Sequence, residues 1–236
     1  MNYELSDRAY LLRLISEGEH QQQDFKYRVE DAEKLARSVS AFANTDGGRL
    51  LIGVRDDGYL SGVRSEEEIY VMHQAAYRYC RPESTIKFDT YHVPVTVEGD
   101  LRSRSRSVMR TIVVATVPPS VRKPVYALEG LPAGTTANKL RSRAFIRIKD
   151  ENIVASPVHL AIWREEQSPL GTSFTYGPDE QSLVATMQQT SWLRLNPLVR
   201  HSHLPRQKVI LLLARLCRYG LARWRLSDHQ FEFALA

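Results

Sequence analysis

Ala41-Phe42-Ala43-Asn44-Thr45-Asp46-Gly47-Gly48-Arg49-Leu50-Leu51-Ile52-Gly53-Val54 is the stretch on which the reading of the fold turns. Its first residues complete a pattern that begins after Asp31. Ala32, Leu35, Ala36, Val39, Phe42 and Ala43 recur at i, i+3, i+4, i+7, i+10 and i+11, and this spacing predicts a helix with one buried stripe. Asn44 to Gly48 ends that helix, and Leu50 to Val54 reads as a buried strand that turns at Asp56-Asp57-Gly58. The paired glycines have two readings. They can present backbone N–H groups to a phosphate, or they can stop the helix at positive φ ahead of the strand; the local sequence favours the stop. Neither Gly-x-x-x-x-Gly-Lys-Ser/Thr nor Gly-x-Gly-x-x-Gly occurs around them, so neither common nucleotide-phosphate loop is supported.

Working outward, Ser6 is positioned to cap a helix carrying Leu11, Leu12, Leu14 and Ile15, and Phe25 and Tyr27 sit in a short extended segment. Glu66 to Tyr79 reads as a further helix. Two β-rich stretches, Ile86 to Val97 and Val108 to Val117, flank Glu98-Gly99-Asp100 and an Arg-Ser run, which predicts a hairpin with an extended tip. Arg102, Arg104 and Arg106 alternate with serine there, so in an extended chain they project from one side, either straddling a phosphate backbone or simply solvated. Pro124-Val125-Tyr126 and Phe145 to Ile148 read as short strands, and Pro157 to Trp163 as a brief helix closing a body of residues 1–165. Residues 166–178 are polar, carry Pro169, Gly171 and Gly177 and show neither hydrophobic period, so they read as a linker.

In residues 179–236, Asp179 is positioned to cap a helix burying Leu183, Val184 and Met187, and a short helix around Pro197 to Ser202 follows. Leu204-Pro205 leads into a third helix with Val209, Leu212, Leu213 and Leu216, stopped at Tyr219-Gly220. Leu221 to Trp224 and Phe231 to Leu235 form two strands around Asp228-His229. Three helices and a terminal hairpin make a winged helix-turn-helix pattern.

The chain of 236 residues carries a formal charge of +5, with 43% hydrophobic and 25% charged residues, the composition of an ordinary globular protein. The charge is unevenly placed. Eight basic residues and two acids fall between Trp192 and Ala236, and no acid falls between Trp192 and Ser227. Arginine outnumbers lysine 25 to 7, which suits bidentate contacts to phosphate or carboxylate. A basic tail on a near-neutral body points to a polyanionic partner. No apolar run approaches the roughly 18 residues of a membrane span, and no secretory signal is visible, so a cytoplasmic protein with no membrane partner is expected. Cys80 and Cys217 stand alone, and the histidines form no ligand spacing, which argues against a disulfide framework, structural zinc or a nucleophile-base triad.

Glu19-His20-Gln21-Gln22-Gln23-Asp24-Phe25-Lys26, the Asn-Thr-x-Gly-Gly-strand-Gly block and Arg122-Lys123-Pro124-Val125-Tyr126 together resemble the Schlafen-type AlbA domain over about residues 10–165. The resemblance implies a mixed α/β or α+β fold, a sheet with helices packed on it. It also implies a DNA-binding module, often followed in prokaryotic members by a winged helix. Vertebrate Schlafen relatives include RNA endonucleases with three carboxylates. On that pattern Glu19 and Asp24 match the first two, Asp24 being shorter than the usual Glu. Arg55 stands where the third acid belongs and leaves Asp56 or Asp57 as displaced candidates. Such a set would hold Mg²⁺ or Mn²⁺ to polarise a phosphodiester. The alternative is that Glu19 and Asp24 are surface charges and that Asp56-Asp57-Gly58 is a turn.

The expectation is therefore a nucleic-acid-binding protein, DNA favoured over RNA, acting in transcriptional regulation, without enzymatic activity and without a cofactor. Arg206, Gln207, Lys208, Arg215 and Arg218 on the third helix, Arg223 and Arg225 on the wing, and Arg102, Arg104 and Arg106 on the hairpin tip are its candidate contacts. A metal-dependent ribonuclease is the alternative, with Mg²⁺ or Mn²⁺ as its only cofactor. A protein-interaction module, marked by an uncharged helix surface, is a further one. A homodimer is left open.

Overall fold

A computed structural model describes residues 3–97, 106–130, 141–167 and 176–236. The chain divides into two compact units, Met1–Val154 and Ala155–Ala236, each with its own core. The class is mixed α/β, as expected.

The first unit contains α1 (Tyr3–Ser16), β1 (Gln23–Lys26), α2 (Ala32–Asn44), β2 (Gly48–Ile52), α3 (Ser65–His73), β3 (Cys80–Arg81), β4 (Lys87–Val97), β5 (Arg106–Val117), β6 (Tyr126–Glu129), β7 (Arg141–Ile148) and β8 (Glu151–Val154). Two four-stranded sheets result, ordered β1-β2-β5-β4 and β3-β6-β7-β8. β1 and β2 run parallel, with Asp24 opposite Leu50, and α2 is their crossover; the long β4–β5 hairpin is antiparallel. α2 forms where its apolar stripe predicts. Asp31 caps it by accepting from the Lys34 N–H at 3.1 Å, and Leu35, Ala36, Val39 and Phe42 are buried. Side chains alternate across the central sheet. Leu50, Ile52, Val113 and Ala115 therefore pack toward α2, while Leu51, Ile112 and Val114 join Leu11, Leu14 and Phe25 on the opposite face.

Several expectations shift. α1 begins at Tyr3, so Ser6 lies inside the helix instead of capping it. The helix expected over Glu66 to Tyr79 relaxes after His73 into a π-helical turn, Gln74–Arg78, before β3. β8 and β3 were not foreseen; they are short and carry little periodicity to read.

The second unit contains α4 (Pro157–Glu166), α5 (Pro178–Gln189), β9 (Leu193–Arg194), α6 (Leu195–Ser202), α7 (Arg206–Arg218), β10 (Ala222–Ser227) and β11 (Gln230–Leu235). The helix expected to close the body belongs here. Val158 and Ala161 of α4 share a buried core with Leu183, Leu198, Val209, Leu213 and Phe233, so the division between units falls at Val154 and not within residues 166–178. Gly177, with Pro178 at the first helical position, precedes α5, and Asp179 sits in its first turn instead of capping it. Gly220 at φ +68° follows α7, its N–H donating to the Cys217 carbonyl at 3.0 Å. The three-stranded sheet runs β10-β11-β9. Asp228 and His229, both at positive φ (47° and 57°), form the two-residue turn that matches the twist of a tight hairpin.

Candidate nucleic-acid interface and carboxylate cluster

The acid-rich segment before β1 is tied down residue by residue. Gln21 donates to the Arg147 carbonyl at 2.6 Å and accepts from the Lys149 N–H at 2.8 Å. Gln22 donates to the Asp46 carbonyl at 2.9 Å, and buried Gln23 reaches the carbonyls of Leu14 and Gly18 at 2.6 and 2.7 Å. Glu19 runs along the free edge of β1 and accepts from the Phe25 N–H at 2.8 Å. Burial raises its pKa above the ordinary carboxyl value, and the neighbouring Asp24 carboxylate adds to this; the Phe25 N–H opposes it.

Asp24 is buried and flanked by cations, Lys26 Nζ at 2.6 Å on one oxygen and Arg147 Nη2 at 3.3 Å on the other. Arg147 is only 1% exposed, lies 5.1 Å from the Phe42 ring centre, and donates to the Gln23 carbonyl and to Asn152. Asp24 is thus one half of a buried ion pair joining the two sheets and not a surface charge. Asp57 accepts from the Tyr59 N–H at 3.0 Å and pairs with Arg55 at 3.0 Å. Asp56 and Asp57 line a shallow cavity with Tyr27 and Arg55. Among the described residues, no three His, Cys, Asp or Glu side chains are grouped to hold a metal ion. Of the four acids proposed as a Mg²⁺ or Mn²⁺ set, Asp24 is paired with Lys26 and Arg147 and Asp57 with Arg55.

The glycine block is architectural too. Asn44 is buried, donates to the carbonyls of Val125 and Phe145 at 2.8 and 2.9 Å, and accepts from the Val125 N–H at 2.7 Å, bolting α2 to β7 and the start of β6. Gly47 stands at φ +73°, and a Cβ there would meet Val117 O and Pro119 at 2.8 Å; a Cβ on Gly48 would lie 2.3 Å from the Phe42 ring. This is the helix-stop reading, with close packing added. Burial pushes the Cys80 and Cys217 thiols up to about 12 and about 11, so both are packed thiols.

Of the hairpin-tip arginines, Arg102 and Arg104 lie outside the described residues, and Arg106 opens β5 as an exposed side chain. The second unit places the remaining candidates. Arg206, Gln207, Lys208 and Arg215 are exposed on α7, with Leu211 between them. Lys208 pairs with Asp179 of α5, whose hydrogen bond and charge raise the lysine's pKa. Arg215 pairs with Glu165 of α4 at 3.6 Å, and Arg218 donates to the Glu165 carbonyl. Arg206 donates to Asn196 at 2.5 Å. On the hairpin, Arg223 and Arg225 point to one side and stack over Trp192, 5.4 and 4.2 Å from its ring centre. Glu232 on the central strand pairs with Arg225 at 2.9 Å and with Arg194 at 3.7 Å.

Counted over the whole second unit, nine basic residues face six acids, so its net charge is +3. The acid-free window from Trp192 to Ser227 is real in sequence, but folding brings Glu165 and Asp179 to it. Trp192, the platform under both wing arginines, was missed. Its signal was an aromatic two residues before Arg194, paired with an Arg-x-Arg strand.

Against known proteins, a family model described as Schlafen, AlbA_2 matches residues 19–156. Among solved structures, the DIP2311 protein from Corynebacterium diphtheriae is similar at 18% identity and a TM-score of 0.38, covering 89% of this chain and 34% of that one. The chain therefore spans about a third of that protein's length. No curated protein matches. Among the described residues, no helix is long and apolar enough to cross a membrane.

Proposed function

Because the chain belongs to the Schlafen AlbA_2 family, whose domain is associated with nucleic-acid binding, we propose that it is a DNA-binding transcriptional regulator whose second unit acts as a winged helix-turn-helix. The observation that carries this reading is the pairing of an exposed helix start, Arg206-Gln207, with a hairpin that holds Arg223 and Arg225 over Trp192. In this reading α7 enters the major groove, Gln207 reaches a base edge and Arg223 of the hairpin contacts a flanking phosphate. DNA is the better substrate for such a helix, because the major groove of duplex RNA is too deep and narrow to admit it. A homodimer would present two such helices to half-sites about one helical turn apart.

Fluorescence anisotropy with duplex DNA over a range of salt tests this. Arg200, Arg206, Arg218 and Arg223 are the α6, α7 and hairpin arginines whose partners include no acidic side chain among the described residues. If these four meet phosphates, log K falls with log salt at a slope of about −3.6. A fragment ending at Val154 should bind poorly. Equal affinity and slope for fragment and full chain would move the interface to the first unit, with Arg102, Arg104 and Arg106 the next residues to replace.

A further inference from the structure

Beyond the β1 and β2 carboxyl ends, where ligands of parallel α/β layers characteristically sit, the first unit holds a cavity of about 760 Å³. Its charged lining is balanced: Arg28, Arg64 and Arg110 against Glu30, Glu67 and Glu68. Val29, Val63, Val71 and Met109 supply an apolar part of the wall. The volume lies within the range of small-molecule sites.

Two of the charged groups are left without the partners that burial demands. Glu68 is only 7% exposed, and among the described residues its carboxylate has neither an ion pair within contact distance nor a hydrogen bond beyond its own backbone N–H. Burial and the neighbouring Glu67 raise its pKa, and Arg28 pulls the other way. Arg110 crosses Gly62, where a Cβ would stand 2.9 Å from the arginine Cδ, and its Nε is buried without an acceptor. A carboxylate at 7% exposure whose donor is its own backbone N–H, with no cation in ion-pair contact, is incompletely compensated in the empty protein, and a cationic group entering the cavity offsets that cost.

Arg64 and Glu67 pair with each other at 3.2 Å on the rim, and we propose that this cavity binds a small zwitterion of the α-amino-acid type, its carboxylate taken by Arg28 and Arg110, its ammonium by Glu68, and its apolar side chain by the valines and Met109. The lining decides the charge class. A phosphate or a polyanion would meet three carboxylates as well as three guanidinium groups, whereas a net-neutral ligand with separated charges satisfies both sets. The proposal is independent of DNA binding, because every lining residue belongs to the first unit.

The test uses the full chain. The twenty L-amino acids at 10 mM are screened by thermal shift, and calorimetry follows on any that stabilise. At least one with an apolar side chain should bind, with its deaminated acid and its decarboxylated amine each at least tenfold weaker, and inorganic phosphate should give no heat. Glu68→Gln should lose at least tenfold for the amino acid while the unliganded melting temperature stays level or rises, because a buried unpaired charge has been removed. Arg110→Gln should weaken binding of the same ligand. Failure of all twenty to bind overturns the proposal, as does equal binding of the acid lacking the ammonium or undiminished binding by Glu68→Gln. DNA affinity measured in parallel separates this failure from failure of the regulator reading.

Discussion

The two units use charge in opposite ways. In Met1–Val154 the charged and polar residues that looked functional are consumed inside the fold: Arg147 against Asp24, Asn44 against the backbone of Val125 and Phe145, and each of three consecutive glutamines on a different partner. In Ala155–Ala236 the charged residues stay at the surface, and acids from distant helices neutralise part of them. A polar motif therefore means different things by position. At a junction between sheets it satisfies backbone groups and buried charge; on an exposed helix and hairpin it remains available to a partner.

The largest effect that bears on this contrast comes from Arg147. Arg147→Met leaves Asp24 buried with Lys26 as its only cation, and should destabilise the first unit by about 3 kcal/mol; the double variant with Asp24→Asn should recover most of it. Trp163, Trp192 and Trp224, the only tryptophans, all lie in the second unit. Circular dichroism should therefore register the loss while the tryptophan fluorescence transition holds its midpoint. A shift of both by the same amount would mean that the two units unfold as one.

The second unit has its own buried polar group. His159 packs between Trp224 and Phe231 at 4.5 Å, with Nδ1 2.7 Å from the Ser156 hydroxyl, and burial lowers its pKa from 6.5 to about 4. The folded protein thus resists a proton that the unfolded chain accepts. Stability from this group is whole above pH 6.5 and declines as pH falls toward 4, by about 1.4 kcal/mol per unit and about 3 kcal/mol in all. His159→Gln keeps a capping residue at that position without a titrating group, so urea midpoints followed by tryptophan emission should lose that share of their pH dependence. An unchanged pH profile would show that carboxylates elsewhere set it.

Ion pairing within the second unit sets the next expectation. Arg206→Gln with Arg223→Gln should flatten the salt slope of DNA binding by about 2, whereas Lys208→Gln with Arg215→Gln should change it by less than about 1, since Asp179 and Glu165 already hold those two cations. Equal changes would mean that DNA displaces the acids. Gln207→Ala should leave the slope unaltered and relax sequence preference. The smallest effect is expected at the carboxylates. With Mg²⁺ or Mn²⁺ present, cleavage of single-stranded RNA or tRNA should stay at background, and Glu19→Gln should not alter it. Metal-dependent cutting abolished by Glu19→Gln or Asp24→Asn would break the architectural reading of the first unit.

Much of the fold was legible because it rests on local physics. The stripe from Ala32 to Ala43, the glycine stop, the apolar run of β2, the β4–β5 hairpin and the Asp228-His229 turn are each determined by spacing and backbone preference within about a dozen residues. The π-helical turn after His73 and the two-residue strands escaped notice because they have no period of their own. Sequence assigned α4 to the first body, and wrongly, since an amphipathic helix specifies that it buries a face but not against which core; a shared core with Val209 and Leu213 decided it. The candidate sites divide along the same line. Sequence by itself determined which residue types were present at Glu19, Asp24, Lys208 and Arg215. Only the tertiary structure decided their partners, because Arg147 lies 123 residues beyond Asp24 and Glu165 lies 50 before Arg215, and a charge is neutralised by what is near in space, at a range of a few ångströms.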